Sequence, residues 1–209
     1  MKKIMFNDRY GLTQAVLQGR KTMTRRLLKV PFTELNDLNC ALKDSVNLMA
    51  NKIAIIKKYS KYQIGEEVAV LQSYNDIFKE ADNGDYWADC YERYRQAQVD
   101  DKPGWNNKMF VLAYLMPHRI RITDIKLERL QDISDEDCIK EGIIRRDDVI
   151  NSNMENIVRY WFEGSFEHHI SKSYTTARQA FSVLIDKVCK HGTWRKNPFV
   201  LAYSFELVQ

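Results

Sequence analysis

The chain has 209 residues, 44% of them hydrophobic and 29% charged, a composition typical of one globular domain spanning residues 1–209. No apolar run approaches the roughly 18 residues of a membrane span, and a polar Asn7 interrupts the basic start, so we expect neither a membrane anchor nor a signal peptide. Residues 1–63 carry a net charge of +9 and the remaining residues −5. This distribution is typical either of a protein that binds an anionic partner such as nucleic acid or of one with a solvated, lysine-rich surface.

The first third of the chain predicts a strand, a helix and a second strand. The first strand covers Lys2 to Phe6, and the helix begins at a cap on Asn7 or Asp8 and ends at Gly19. The segment Lys21 to Leu28 has strand character around a basic centre, and parts of residues 33–58 have helical periodicity.

The middle of the chain predicts further strands and an insertion. Strands are expected at Val68–Leu71, Phe110–Tyr114 and His118–Leu130, while residues 75–104 form an acidic and aromatic excursion, predicted to be helical. In the longest strand the alternation of apolar and polar residues slips near Asp124. Such a slip predicts a β-bulge or bend, as closed barrels require.

The last third predicts three helices and a final strand. The capping box Ser134-Asp135-Glu136-Asp137 begins a short helix that ends at Gly142, a second helix fits Glu155–Phe162, and a third runs from Ser173 to Lys190. The chain closes with a strand over Phe199–Val208. Strands interrupted by helices without βαβ regularity predict an α+β fold with a small mixed β-barrel.

One motif can carry chemistry: Gly19-x-Lys21-x-x-Thr24-x-Arg26, directly after a helix end. Neighbouring arginines and burial lower the pKa of a lysine, so Lys21 is a candidate base that activates the hydroxyl of Thr24. Positions 21 and 24 face opposite sides of a regular strand, so a shared site requires irregular backbone between them. The alternative is a basic edge strand that discourages aggregation.

Two further features are candidates. Glu141 lies at the end of the short capped helix, where the helix dipole disfavours a carboxylate, which suits a general acid; the alternative is an exposed glutamate. Trp194 precedes the last strand and either stacks on a base or packs in the core. The pair His168-His169 has no matching ligands and the four cysteines are scattered, so we expect no metal site, no cofactor and no disulfide, as in a cytoplasmic protein.

Taken in order, these motifs resemble the ASCH domain of the PUA-like superfamily, in the longer form found in phages and gut bacteria. The resemblance covers roughly half of the chain and rests on four segments: Gly19–Arg26, Tyr62–Val70, Ile120–Gly142, and Trp194 with Asn197-Pro198 and the last strand. Residues 27–60, 75–104 and 145–172 fall outside it and are interpreted as helical insertions.

The resemblance implies a barrel with a cleft and a role in handling RNA or a modified nucleoside. Some members hydrolyse the amide of N4-acetylcytidine, which implies Lys21 as base, Thr24 as nucleophile and Glu141 as acid. Two alternatives remain open: a non-catalytic RNA-binding module and a single-strand ribonuclease. The residues expected to bind substrate or phosphate are Arg25, Arg26, Arg119, Arg121, Trp194 and Asn197.

Overall fold

The computed structural model describes residues 1–81, 92, 94–100, 102–150, 153–163 and 173–208, which form a mixed α+β structure with two sheets. The strands are β1 (Lys2–Ile4), β2 (Met23–Leu27), β3 (Glu67–Val70), β4 (Arg119–Arg129), β5 (Ile144–Ile150), β6 (Asn156–Trp161) and β7 (Phe199–Val208). The helices are α1 (Leu12–Leu17), α2 (Leu35–Lys43), α3 (Leu48–Tyr59), α4 (Tyr74–Ala81), α5 (Asp135–Lys140), α6 (Ala177–Val188) and α7 (Thr193–Lys196).

Five strands form the larger sheet, in the order β1-β3-β4-β7-β2. The β1–β3 pair is parallel and the other pairs are antiparallel. The register of β4 against β7 shifts between Ile122 and Asp124, so the slip expected from the sequence is confirmed. Within the described ranges β1 and β2 are the outer strands and no backbone ladder joins them, so the closed barrel stays a prediction.

The main core lies between this sheet and α6. Side chains of β4 alternate, and Ile120, Ile122, Ile125 and Leu127 are buried. Helix α6 begins after Thr176, whose hydroxyl accepts from the Gln179 N–H at 3.1 Å, so it starts later than the predicted Ser173 cap. Its face joins the same cluster through the side chains of Ala177, Ala180, Phe181 and Leu184.

Two sequence expectations about local structure are wrong. The segment predicted as a helix over Glu155–Phe162 forms β6, which pairs with β5 as a hairpin; its β-branched and aromatic residues favour a strand. The predicted 145–172 insertion is therefore β-structured where the structure describes it.

The segment predicted as a strand over Phe110–Tyr114 instead contains parts of two short 3-10 turns, Lys108–Phe110 and Ala113–Leu115. Backbone donors in and beside this segment have other partners: Asn107 Oδ1 accepts from the Met109 N–H, the Asn107 carbonyl from the Phe110 N–H, and Tyr74 Oη from the Leu112 N–H. A strand partner is therefore not needed there.

Helices α2, α3 and α4 lie in the predicted insertions at 27–60 and 75–104. Residues 82–91, 93 and 101 lie outside the described residues, and Asp85, Tyr86, Trp87 and Tyr91 are among them. None of the helices that the structure describes has the length and apolar character to cross a bilayer.

Candidate active site

The chain between α1 and β2 has an irregular course that brings Lys21 and Thr24 to one cavity. Gly19 ends the helix with φ of +71°, and the Lys21 N–H donates to the Ala15 carbonyl at 2.8 Å. The strand begins only at Met23, so Lys21 lies before it and the parity of a regular strand does not apply. Both Lys21 and Thr24 are buried and line the same cavity.

Glu141 reaches this cavity at the end of α5. The helix begins where Ser134 Oγ accepts from the Asp137 N–H at 3.1 Å, as the capping box predicts, and it ends at Glu141. Gly142 follows with φ of +105°, and a Cβ atom there would lie 3.1 Å from Leu12 Cδ2 and 3.8 Å from Lys21 Cδ. Glycine therefore allows this turn to pack directly against the stem of Lys21.

Lys21 and Glu141 form a buried ion pair. Lys21 Nζ donates to Glu141 Oε2 at 2.7 Å and to the Glu141 carbonyl oxygen, also at 2.7 Å. Burial lowers the pKa of Lys21; the adjacent Glu141 carboxylate opposes this shift, and Arg26 and Arg25 lower the pKa further by like-charge repulsion. An ammonium has three donors, so one remains for a group in the cavity.

Arg25 holds the second oxygen of Glu141 and does not face outward. Its Nη1 lies 3.3 Å from Glu141 Oε1, its Nε donates to Glu128 Oε1 at 2.7 Å, and its Nη2 donates to Asp137 Oδ2 at 3.0 Å. The side chain is 1% exposed. A guanidinium that is surrounded by three carboxylates is part of the support of Glu141, and is not placed to bind a phosphate.

The cavity has a volume of about 640 Å³ and two unlike walls. Helix α6 contributes an apolar wall of Phe181, Leu184, Ile185 and Val188. The rest of the lining is strongly charged, with two carboxylates and six cations: Asp8 and Glu141, and Arg9, Lys21, Arg25, Arg26, Lys29 and Lys108.

Two nucleophile types border this cavity, a hydroxyl and a thiol. Within the described ranges the Thr24 hydroxyl has no hydrogen-bond partner, so it is available to a ligand in the cavity. Cys189 also lines the cavity, but burial raises the pKa of its thiol, which disfavours the thiolate. Thr24 is therefore the better placed nucleophile.

Four of the residues expected to bind substrate lie away from the cavity. Arg121 pairs with Glu67 at 3.0 Å and Glu206 at 3.2 Å, and Arg119 lies 3.7 Å from Glu67. These cross-strand pairs follow from the register of β4 with β3 and β7, which sets the charged residues opposite one another.

Trp194 and Asn197 have structural contacts. The Trp194 ring packs edge-on against Phe181 at 6.2 Å between centroids, and the Arg178 guanidinium lies over it at 5.5 Å. Asn197 has a left-handed backbone and its Oδ1 accepts from the Gln131 N–H at 2.8 Å. The core interpretation of Trp194 therefore accounts for its position.

Sequence reasoning missed much of the cavity wall. Phe6 ends the predicted first strand and Arg9 lies in the first turn of the predicted helix, but neither was assigned to the site. Lys29 follows the predicted strand Lys21–Leu28, and Lys108 lies in a segment for which the sequence predicted no element. The Asn7 cap is the sequence signal for Arg9, because Asn7 Oδ1 accepts from the Arg9 N–H at 3.0 Å and fixes the short 3-10 turn Asp8–Tyr10 that carries it. His168 and His169 lie outside the described residues, and among those described no group of three or more candidate ligands is arranged to hold a metal ion.

Comparison with protein-family models, with curated proteins and with solved structures finds no match to this chain.

Proposed function

We propose that this protein hydrolyses the amide bond of an N-acylated nucleobase such as that of N4-acetylcytidine, as the resemblance to the ASCH domain implies. The observation that carries the proposal is the buried pair of Lys21 and Glu141, 2.7 Å apart, on the wall of a cavity that Thr24 also lines. A base, an acid and a hydroxyl that line one cavity are the parts that acyl transfer requires.

The short Lys21–Glu141 hydrogen bond gives the pair two forms with the same number of protons. In one form an ammonium faces a carboxylate; in the other the proton has moved, and a neutral amine faces a carboxylic acid. Burial raises the population of the neutral form above its population in water, because the neutral form contains no charges that must be desolvated. The shifted form supplies a general base and a general acid together.

In the first half-reaction the Thr24 oxygen bonds to the acyl carbon and its proton passes to Lys21 Nζ. The C–N bond then breaks as the Glu141 carboxyl gives its proton to the leaving amine. The products are an acylated Thr24, a Lys21 ammonium and a Glu141 carboxylate. In the second half-reaction water attacks the ester and gives a proton to Glu141, while Lys21 returns a proton to the Thr24 oxygen. The carboxylic acid leaves and the starting form of the pair is restored.

The cavity supports a ligand of nucleoside size. Its volume of about 640 Å³ falls within the range of small-molecule sites, roughly 300–1,000 Å³. The apolar wall of α6 suits the face of a pyrimidine, and the Phe6 ring beside Lys21 and Arg26 adds an aromatic surface.

The fold part of the proposal is that the larger sheet is a PUA-like barrel whose seam lies between β1 and β2. The support is a contact near one end of these strands, where Arg26 Nη2 donates to the Met5 carbonyl at 2.7 Å. Nuclear Overhauser contacts between backbone protons of β1 and β2 in solution would support a paired seam, and their absence in a folded sample would argue for an open sheet.

The experiment for the activity is incubation of purified protein with N4-acetylcytidine, with separation of cytidine and acetate from the substrate. We expect turnover in the wild type and none in Lys21→Met. An Lys187→Gln variant, which changes an exposed lysine of α6 away from the cavity, is the matched control and should keep the activity. Wild-type protein without turnover, in a sample shown to be folded, would contradict the proposal.

A second candidate is a non-catalytic RNA-binding module, and the excess of cations on the cavity wall favours it. A labelled single-stranded RNA in the same assay separates the outcomes: a salt-sensitive shift without cleavage indicates binding alone. Cleavage that Lys21→Met abolishes would indicate the third possibility, a ribonuclease that uses the same pair.

A further inference from the structure

The cations of the cavity wall divide into two groups by their partners. Lys21 and Arg25 are paired with carboxylates inside the protein, and Lys108 Nζ lies 2.6 Å from Asp8 Oδ2. Arg9, Arg26 and Lys29 line the same cavity without an ion pair to any acidic side chain of the described residues. We name Arg9, Arg26 and Lys29 the cationic rim.

The cationic rim lies outside the buried pair. Arg9 and Lys29 are exposed, whereas Lys21, Thr24 and Glu141 are buried. Arg26 is held in place, because its Nη2 donates to the Met5 carbonyl and its guanidinium lies 5.7 Å from the centre of the Phe6 ring. One bond of this kind leaves most of the five guanidinium donors of Arg26 for a ligand.

We propose that the cationic rim binds a phosphate group, so that the ligand of this cavity is a nucleotide and not a nucleoside. Three like charges around one cavity repel each other, and an anion between them removes that repulsion. The planar fork of arginine matches the oxygens of a phosphate. The nucleobase part of this inference rests on the proposed function; the phosphate part rests on the charges alone.

The structure favours the phosphate of a single nucleotide over a long strand. A cavity of about 640 Å³ holds one nucleotide. A strand would need a continuous basic track, but Arg119 and Arg121, the next candidate phosphate ligands, are engaged by Glu67 and Glu206. Among the cations that line the cavity, Arg9, Arg26 and Lys29 are the ones without an acidic partner in the described part of the chain.

The test compares three ligands that contain no acyl group and so are not substrates of the proposed amidase: cytidine, cytidine 5′-monophosphate and a short single-stranded cytidine oligonucleotide. Binding to wild-type protein is measured by titration calorimetry at low and physiological salt. We expect the monophosphate to bind at least about tenfold more tightly than cytidine, with a preference that shrinks as salt rises. The oligonucleotide should bind no more tightly per nucleotide than the monophosphate.

The variant Arg9→Gln/Arg26→Gln/Lys29→Gln should lose the preference while its affinity for cytidine changes little. The matched control is Lys43→Gln/Lys57→Gln/Lys187→Gln, which removes the same charge from exposed positions on α2, α3 and α6 and should keep the preference. A circular dichroism spectrum and melting curve exclude unfolding as the cause.

Equal affinities for cytidine and its monophosphate, or a preference that survives in the rim variant, would overturn the proposal. Tighter binding of the oligonucleotide that depends on Arg119 and Arg121 would overturn it in favour of a strand track. The outcome is separable from that of the proposed function, because a protein without amidase activity can still show the phosphate preference, and an active amidase can lack it.

Discussion

The buried Lys21–Glu141 pair allows a quantitative test by Glu141→Gln. The change leaves Lys21 Nζ with a carbonyl acceptor but no carboxylate, in a place where the lysine side chain is 2% exposed. Breaking a buried pair by removing one partner costs about 3–5 kcal/mol. At pH 7 the cost of burying the unpaired ammonium is at most about 5 kcal/mol. Above that value Lys21 would instead release its proton, which costs about 5 kcal/mol at pH 7 for a lysine with an unfolded-state pKa of 10.5.

The loss should depend on pH with a definite sign. A lysine whose pKa is lower in the folded state than its unfolded value of 10.5 binds fewer protons when folded, so the free energy of unfolding rises with pH between the two values. Both actions of Glu141, its charge and its hydrogen bond, raise the pKa of Lys21, so Glu141→Gln lowers this pKa further. The wild-type advantage over Glu141→Gln should therefore narrow as pH rises, by at most about 1.4 kcal/mol per pH unit.

The assay is urea unfolding of both proteins at pH 7, 8 and 9, with the free energies compared at each pH. The double variant Lys21→Met/Glu141→Gln is the control, because without the lysine the pH-dependent recovery should disappear. A difference between wild type and Glu141→Gln that stays constant over this range would refute the reasoning. It would mean that Lys21 keeps its proton in the variant and finds another partner.

Three further outcomes follow from the same contacts. Thr24→Ala should reduce hydrolysis of N4-acetylcytidine by roughly 10³-fold or more while leaving the melting curve unchanged, and Thr24→Ser should restore part of the rate. Gly142→Ala should lower the free energy of unfolding more than Gly65→Ala, because both glycines have positive φ but only Gly142 has neighbours within 4 Å of an added Cβ. Urea unfolding measures both losses, and equal losses would contradict the packing argument. Arg25→Met should cost about 3–5 kcal/mol in the same measurement, because it removes a buried guanidinium from the buried Glu141 and the half-buried Glu128 and Asp137. Arg121→Gln, in an exposed network, should cost about 1 kcal/mol or less.

The sequence predicted the elements whose signals are local. The Ser134 capping box, the Gly19 helix end and the slip near Asp124 each depend on a few adjacent residues, and the structure has all three. The failures depend on distant partners. Strand β6 forms because β5 and the Tyr160–Tyr174 bridge lie beside it, and Phe110 lies in a turn because Asn107 and Tyr74 take its neighbours' backbone donors.

The candidate site divides in the same way. The motif and the short helix gave Lys21, Thr24 and Glu141, and the parity of strand positions showed that irregular backbone was needed. The sequence did not distinguish Arg25 from Arg26, although the structure buries Arg25 among carboxylates and leaves Arg26 without an acidic partner in the described part of the chain. A run of cations has no pattern that tells which one meets acids from elsewhere in the fold.

The backbone around Lys21 explains why the buried pair and the cationic rim can be separate in function. The Lys21 N–H bonds to Ala15 of α1, the Thr22 N–H donates to Lys140 of α5 at 3.0 Å, and the Phe205 N–H of β7 donates to the Thr22 carbonyl at 2.9 Å. Three elements thus fix the backbone that carries the lysine and the glutamate, which is the support a proton-transfer pair requires. Arg9 lies in the short 3-10 turn Asp8–Tyr10 and Lys29 in the connection after β2, and both side chains are exposed, where substitutions are tolerated better. Substitutions in the cationic rim should therefore change which ligand binds and leave the Lys21–Glu141 pair intact.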